Sequence, residues 1–430
     1  MSLVYLNDNK HIYLSDYNLI INAELKDYFL KHANGKKVKF TQRRIDKEAI
    51  QHGVRDIGQV IFQTTQDCTL RCKYCVYGGT YKYQRDLVKN VMTWETARRG
   101  MDYIYDIIKD RQKKDLAISF YGGEPLMNFE VVEKSVEYAK EKFKDIRDVK
   151  FFMTTNLTLL DDRMLELIVT NDFNLSVSLD GPREHQNAKR VFPDGSGSFD
   201  IVMKNLQRIK DRDPKYFKEK IGMETVYSKD LPVDKMVEFF TNNELVKENR
   251  MMFSFVDEYD TCYYEKYPYS EEEVSAGFRK LNRSIRDKIK NEVDLIPVER
   301  AMSTSYGRMK RYLEARNFSN TANTCVFDSK LLIDSEGRFH VCEKINDQFP
   351  FGDVWKGFDF DRMEQILGDF CDTVEKHCSD CEYRCICFRC FIPFAKDGKM
   401  RFDENFCKEM KENCKEGLEK RITNEIEGVI

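Results

Sequence analysis

The sequence predicts an α/β protein built on a partial (β/α)6 barrel, with a small N-terminal α+β appendage and a cysteine-rich C-terminal domain. Between residues 56 and 257, six short apolar runs alternate with amphipathic helical stretches, the order of a parallel sheet with right-handed crossovers. The motifs with chemical character each follow one of those strands. Ten of the 14 cysteines lie at or beyond Cys325. Residues 1–55 form the appendage, 56–257 the barrel, 258–323 a helical linker and 324–430 the C-terminal domain.

In the appendage, Leu3 to Leu14 alternates apolar and polar residues around Asn7-Asp8-Asn9-Lys10, a hairpin signature. Asn22 to His32 then carries helical spacing. A unit this small buries too little to stand alone. It packs on the body or offers an open strand edge to a peptide, such as a leader peptide.

The barrel strands are predicted at Val60–Thr64, Leu116–Tyr121, Val149–Thr154, Leu175–Leu179, Ile221–Tyr227 and Met251–Val256. Helices are expected over Thr93–Asp110, Glu130–Phe143, Asp161–Val169, Phe199–Ile209 and Val233–Thr241. In such sheets the working residues gather at the C-terminal strand ends. The first strand runs into Cys68-x3-Cys72-x2-Cys75, the second into Gly122-Gly123-Glu124-Pro125, the third into Thr155-Asn156 and the fourth into Asp180-Gly181-Pro182. The linker carries a helix from Ser270 to Lys290 and a second helical stretch from Val298 to Phe318. In the C-terminal domain, Lys330–Asp334 and Arg338–Val341 form a hairpin between Cys325 and Cys342.

Composition limits the function classes. The net charge of -3 gives no overall basic excess for nucleic acid or an anionic membrane surface. No run of about 18 apolar residues exists to span a membrane. Met1 to Asn7 shows no secretion signal, which places the protein in the cytoplasm. In that reducing compartment, clustered cysteines point to metal rather than disulfides. Cys262 stands alone and reads as a small buried hydrophobe. Structural zinc takes four protein ligands, and ferredoxin-type clusters are held by four cysteines. The three thiols of the Cys68 loop therefore suit a 4Fe-4S cluster with one iron open.

These residues resemble the radical S-adenosylmethionine (SAM) enzymes. The resemblance rests on Cys68, Cys72 and Cys75 with Tyr74 before the last cysteine, on Gly122 to Pro125, and on the six-strand pattern of a partial, TIM-like barrel. It implies that SAM chelates the open iron and is cleaved to a 5′-deoxyadenosyl radical. It also implies contacts to SAM from Tyr74 (adenine), Gly122, Gly123 and Glu124 (methionyl ammonium), Pro125 beside them, and Asn156, Ser178 and Arg190 (ribose or carboxylate). The C-terminal cysteines resemble a SPASM domain with two auxiliary 4Fe-4S clusters. By that resemblance Cys325, Cys342 and Cys390 serve the first, and Cys378, Cys381, Cys387 and Cys407 the second. Two departures stand out. Only two residues separate Cys387 and Cys390, with an extra Cys385 before them, and the first auxiliary cluster has no evident fourth ligand. That position is open, or takes Cys371, Cys385 or a substrate sulfur; Cys414 has no assigned role.

The resemblance implies a radical SAM oxidoreductase that modifies a precursor peptide, with a flavodoxin or ferredoxin as external electron donor. Thioether crosslinking of a cysteine-containing peptide is the expected reaction. Formylglycine formation of the anaerobic sulfatase-maturase kind is the alternative. A zinc-binding interaction protein without catalysis is a reading of another class.

Overall fold

The computed structural model describes residues 3–6, 9–32, 37–41, 45–110, 115–144, 148–303, 313, 317–319, 324–387 and 389–426. Strands β1 (Leu3–Tyr5), β2 (His11–Leu14) and β3 (Leu19–Asn22) form an antiparallel sheet, with Leu3 opposite Leu14 and Leu14 opposite Leu19. The expected hairpin is present; Asn7 and Asp8 of its turn lie outside the described residues. The third strand was not anticipated, because the three-residue apolar run Leu19-Ile20-Ile21 has no period to separate strand from helix. Asn22 ends it and caps the following turn by accepting from the Glu24 N–H. A short helix, Lys26–His32, completes the unit.

This sheet packs on the far end of the chain. Val4, Leu6 and Tyr13 share a core with Tyr383, Ile386, Leu418 and Ile422. Asp16 pairs with Arg384 at 2.9 Å. A further strand, β4 (Lys39–Thr41), runs parallel to residues 317–319, so the N-terminal segment meets the C-terminal third a second time.

The central sheet contains β5 (Gln59–Thr65), β6 (Asp115–Gly122), β7 (Asp148–Thr155), β8 (Asn174–Ser178), β9 (Ile221–Tyr227) and β10 (Arg250–Phe255), each parallel to the next. All six match the expected strands. The expected helices are found over Trp94–Ile108, Phe129–Lys142, Asp162–Thr170, Phe199–Arg212 and Val233–Asn242. Each presents an apolar stripe to the sheet; in the first it is Ala97, Met101, Ile104 and Ile108, all buried. Arg183–Lys189 and Pro214–Lys220 are additional helices of seven residues each, too short to show a clear 3.6-residue period in sequence. The linker helix runs from Glu271 to Lys290, and most of the second expected stretch lies outside the described residues.

The sheet extends further than the sequence predicts. After β11 (Asn317–Ser319), strand β12 (Lys330–Ile333) pairs parallel with the free side of β5, and β13 (Phe339–His340) returns antiparallel to it. The predicted C-terminal hairpin is therefore also the edge of the barrel sheet, whose open ends are β10 and β13. Ile333 and Phe339 belong to the same core as Phe62 and Met101. Barrel and C-terminal domain thus share one hydrophobic interior. Among the described residues, no helix is long and apolar enough to cross a membrane.

Ile333→Ala should cost about 2–5 kcal/mol, the usual range for truncating a fully buried aliphatic side chain. Because the core is shared, thermal unfolding of this variant should show one cooperative transition at lower temperature. A separate early transition of the C-terminal third would contradict the shared core.

Candidate active site

The three-cysteine loop leaves β5 at Thr65, whose Oγ1 accepts from the Asp67 N–H at 3.1 Å. Asp67 in turn accepts from the Cys68 N–H, and the Cys68 sulfur accepts from the Leu70 N–H at 3.4 Å. The Cys75 N–H donates to the Cys72 carbonyl, and the Gly78 N–H to the Cys75 carbonyl. This tight winding brings Cys68, Cys72 and Cys75 close enough to act electrostatically on one another. Burial pushes their thiols up to about 12, 12 and 11. Without a cation they stay protonated at neutral pH; a coordinated metal removes those protons. Among the described residues, no three His, Cys, Asp or Glu side chains are close enough to share one metal ion. The thiolates of an iron–sulfur cluster bind different irons, so their sulfurs stand further apart than the ligands of a single ion.

The end of β6 lies directly on this loop. Gly123 donates to the Thr65 carbonyl and Glu124 N–H to the Asp67 carbonyl at 2.9 Å. A Cβ on Gly123 would sit 2.0 Å from the Asp67 carbonyl oxygen, and one on Gly122, at φ +144°, 2.2 Å from that of Thr65. The missing side chains thus serve the contact with the loop backbone, where the sequence suggested access for a ligand ammonium. Glu124 is fully buried. Its carboxylate accepts from Thr155 Oγ1 (2.7 Å) and from the N–H groups of Asn156 (2.7 Å) and Leu126 (3.1 Å). Desolvation outweighs these bonds and raises its pKa from 4.5 to about 7. Pro125 opens the short turn Pro125–Asn128.

Asn156 reaches the loop from the end of β7, its Nδ2 donating to Thr69 Oγ1 at 3.0 Å and lying 3.5 Å from the Cys68 sulfur. Tyr74 is buried and donates its hydroxyl to Asp180. Arg190 Nε donates to the same carboxylate at 3.0 Å, its guanidinium 5.4 Å from the Tyr74 ring, and it also hydrogen-bonds Cys72. Asp180, at the end of β8, was noted in sequence only as part of a turn, yet it holds both residues. Ser178 is buried, and its carbonyl accepts from Gln186. Beside the loop, a cleft of about 550 Å³ is lined by Arg71, Cys72, Lys73, Gly79, Lys266 and Tyr267 among others.

The C-terminal thiols form two sets. Cys390 acts on both Cys325 and Cys342, with Lys330 and Lys344 as the nearby cations. Cys378, Cys381 and Cys407 act with Cys387, and Cys414 joins them by a hydrogen bond to Cys387 that lowers the Cys387 thiol and raises its own. Cys407 and Cys414 sit about two turns apart on one face of the helix Glu404–Ile426. Cys385 turns away and donates to the Ser15 carbonyl. Cys371 is buried in the core on the helix Phe360–Cys378. Neither is among the groups acting on Cys325, Cys342 or Cys390. Cys262, expected to be buried, is partly exposed ahead of the helix Tyr263–Lys266.

The Cys325, Cys342 and Cys390 set adjoins the barrel mouth. Tyr77, two residues after Cys75, donates to the Glu343 carbonyl beside Cys342 at 2.6 Å. Lys344 acts on Cys390 and also on Glu224 of β9 and on Asp257, two acids whose pKa values burial raises. Sequence reasoning passed over Glu224, Asp257 and Lys344. Their positions just after or within strands were the available signal, shared with many solvent-facing charges.

Residues 62–223 match the model of the radical SAM superfamily. The chain carries a radical SAM domain. It is 25% identical over 218 residues to the radical SAM cyclopropyl synthase TigE of Paramaledivibacter caminithermalis, covering 48% of this chain and 44% of that protein. It is 30% identical over 144 residues to a serine-type anaerobic sulfatase-maturating enzyme of Bacteroides thetaiotaomicron, covering 33% and 34%. The chain thus spans less than half the length of these relatives. Among solved structures it resembles anSMEcpe with bound AdoMet and the Cp18Cys peptide, with a TM-score of 0.61, 18% identity, and coverage of 86% of this chain and 99% of that one. This likeness shows a shared fold over most of the chain, beyond the residues that the family model matches.

Gly123→Ala should destabilise the protein by about 1–3 kcal/mol or more, as forced overpacking does, with loss of iron from the reconstituted protein measured in parallel. A stable variant with full iron would remove the proposed reason for glycine. Glu124 also makes a pH prediction. An acid whose pKa rises on folding contributes stability that is complete below its ordinary 4.5 and lost as pH rises through about 7. Urea unfolding at pH values on either side of that window should show this loss in the wild type and a flatter profile in Glu124→Gln.

Proposed function

We propose that this protein is a radical SAM peptide maturase that forms a thioether from a cysteine sulfur to a carbon of a ribosomally made peptide. In this reading Cys68, Cys72 and Cys75 hold the cluster that binds SAM, and the two C-terminal thiol sets hold auxiliary 4Fe-4S clusters. The observation that carries it is the convergence of three separate thiol sets, one at the strand ends and two in a tail that continues the same sheet. When bound, the cluster and SAM together supply a strong one-electron oxidant for carbon–hydrogen bonds.

The chain's own residues have definable tasks around that chemistry. Gly122 and Gly123 let β6 clamp the thiol loop, and Glu124 ties the loop's far side to the Thr155–Asn156 turn. Asp180 locks Tyr74 and Arg190 together, which sets a cation beside Cys72. Tyr74, Tyr263 and Val256 form an apolar cluster against which Cys72 packs, which shields one side of the loop. The first auxiliary set has three thiols acting on one another, and Lys330 and Lys344 provide cations there that favour a peptide thiolate. A flavodoxin or ferredoxin would deliver the electron.

The similarity to a sulfatase-maturating enzyme supports a second reading, oxidation of a cysteine or serine to formylglycine. Reconstituted under anaerobic conditions, the protein should be brown and should release 5′-deoxyadenosine from SAM with a reductant, whereas Cys72→Ala should release none. A colourless zinc protein would falsify the enzyme reading. Co-expressed with a cysteine-containing peptide encoded beside it, the protein should lower the peptide mass by two hydrogens per crosslink. The crosslinked sulfur should then resist alkylation, while a formylglycine product should react with hydrazide reagents.

A further inference from the structure

Arg389 is the bulkiest side chain almost fully shielded from solvent among the described residues, at 2% exposure. Its Nη1 donates to the Arg384 carbonyl at 3.0 Å, while its Nε and Nη2 are buried without a hydrogen-bond partner. Buried guanidinium N–H groups are normally matched, because leaving them dry and unpaired is costly. The groups on which its charge acts are Cys378, Cys385, Cys387 and Cys414. Three of these belong to the second C-terminal thiol set. Cys390, one residue away in sequence, faces Lys330 and Lys344 instead.

We infer that Arg389 is the charge-compensating donor of the second auxiliary centre. It directs the unmatched N–H groups of its Nε and Nη2 at the sulfurs of an anionic metal–thiolate cluster held by Cys378, Cys381, Cys387 and Cys407. Cys414 is a further hydrogen-bond donor onto Cys387. The inference rests on the reading of this set as a 4Fe-4S site. Arginine suits the role because it stays charged when buried and presents several donors in a fixed plane. A cation and hydrogen bonds at cluster sulfurs stabilise the more negative, reduced state and raise its potential. The first auxiliary set has only lysines, one of them exposed, so the two centres differ in potential, the second being the higher.

The test uses the full chain carrying Cys68→Ala, Cys72→Ala and Cys75→Ala, reconstituted with iron and sulfide, so that only the auxiliary centres report. Iron content and an EPR-monitored redox titration are then compared for Arg389, Arg389→Lys and Arg389→Met. Arg389→Met should keep its iron and lower the midpoint of one centre, so that its reduced-to-oxidised ratio at fixed potential falls about tenfold, 59 mV for a one-electron couple. Arg389→Lys should recover most of that shift. If Arg389→Met loses the iron of one centre while Arg389→Lys retains it, charge compensation is supported through assembly instead. Full iron with unmoved midpoints in Arg389→Met overturns the inference, as does equal loss of iron in both variants. A parent protein that binds no iron in the tail would instead defeat the cluster reading itself.

Discussion

The contact between the end of β6 and the cysteine loop is the constraint on which the rest of the site depends. Two backbone hydrogen bonds join Gly123 and Glu124 to Thr65 and Asp67, at a distance that only glycine permits. From that seam the order spreads outward. Glu124 carries it to the Thr155–Asn156 turn, and Asn156 returns it to Thr69 and Cys68. Three strand ends are thereby held in one frame around three thiols, before any ligand is considered.

Each thiol set has cations beside it, and the most buried of them differ in kind. Arg190 stands beside Cys72 but is shared with Asp180, which tempers its charge. Lys330 and Lys344 attend the Cys325, Cys342 and Cys390 set from half-buried and exposed positions. Arg389 is sealed into the second. Electrostatic interaction strengthens as water is excluded, so these three environments are graded.

Much of the fold was legible in the sequence because it is local. Six strands and five helices follow from periodicity, and the thiol loop, the Gly-Gly-Glu-Pro turn and the C-terminal hairpin follow from turn residues and cysteine spacing. What escaped depends on distant partners. Lys330–Ile333 reads as a hairpin arm, and nothing in its residues states that its other edge meets Gln59–Phe62. Likewise Arg389 reads as one basic residue among many in a charged chain until the fold buries it. Gly123 was found by its motif, yet its steric reason required the opposing Asp67 carbonyl.

The pairing of the chain's two ends sets the order in which the molecule can be finished during synthesis. A ribosome releases β5 long before β12, so the nascent barrel leaves one strand edge unpaired until Lys330–Ile333 emerges. Tyr13 and its sheet wait longer still, for Leu418 and Ile422 on the last helix. Contacts of such sequence separation form late and leave sticky intermediates exposed meanwhile. That interval is also when Cys385 and Cys414 are uncovered, before the N-terminal sheet folds down over them.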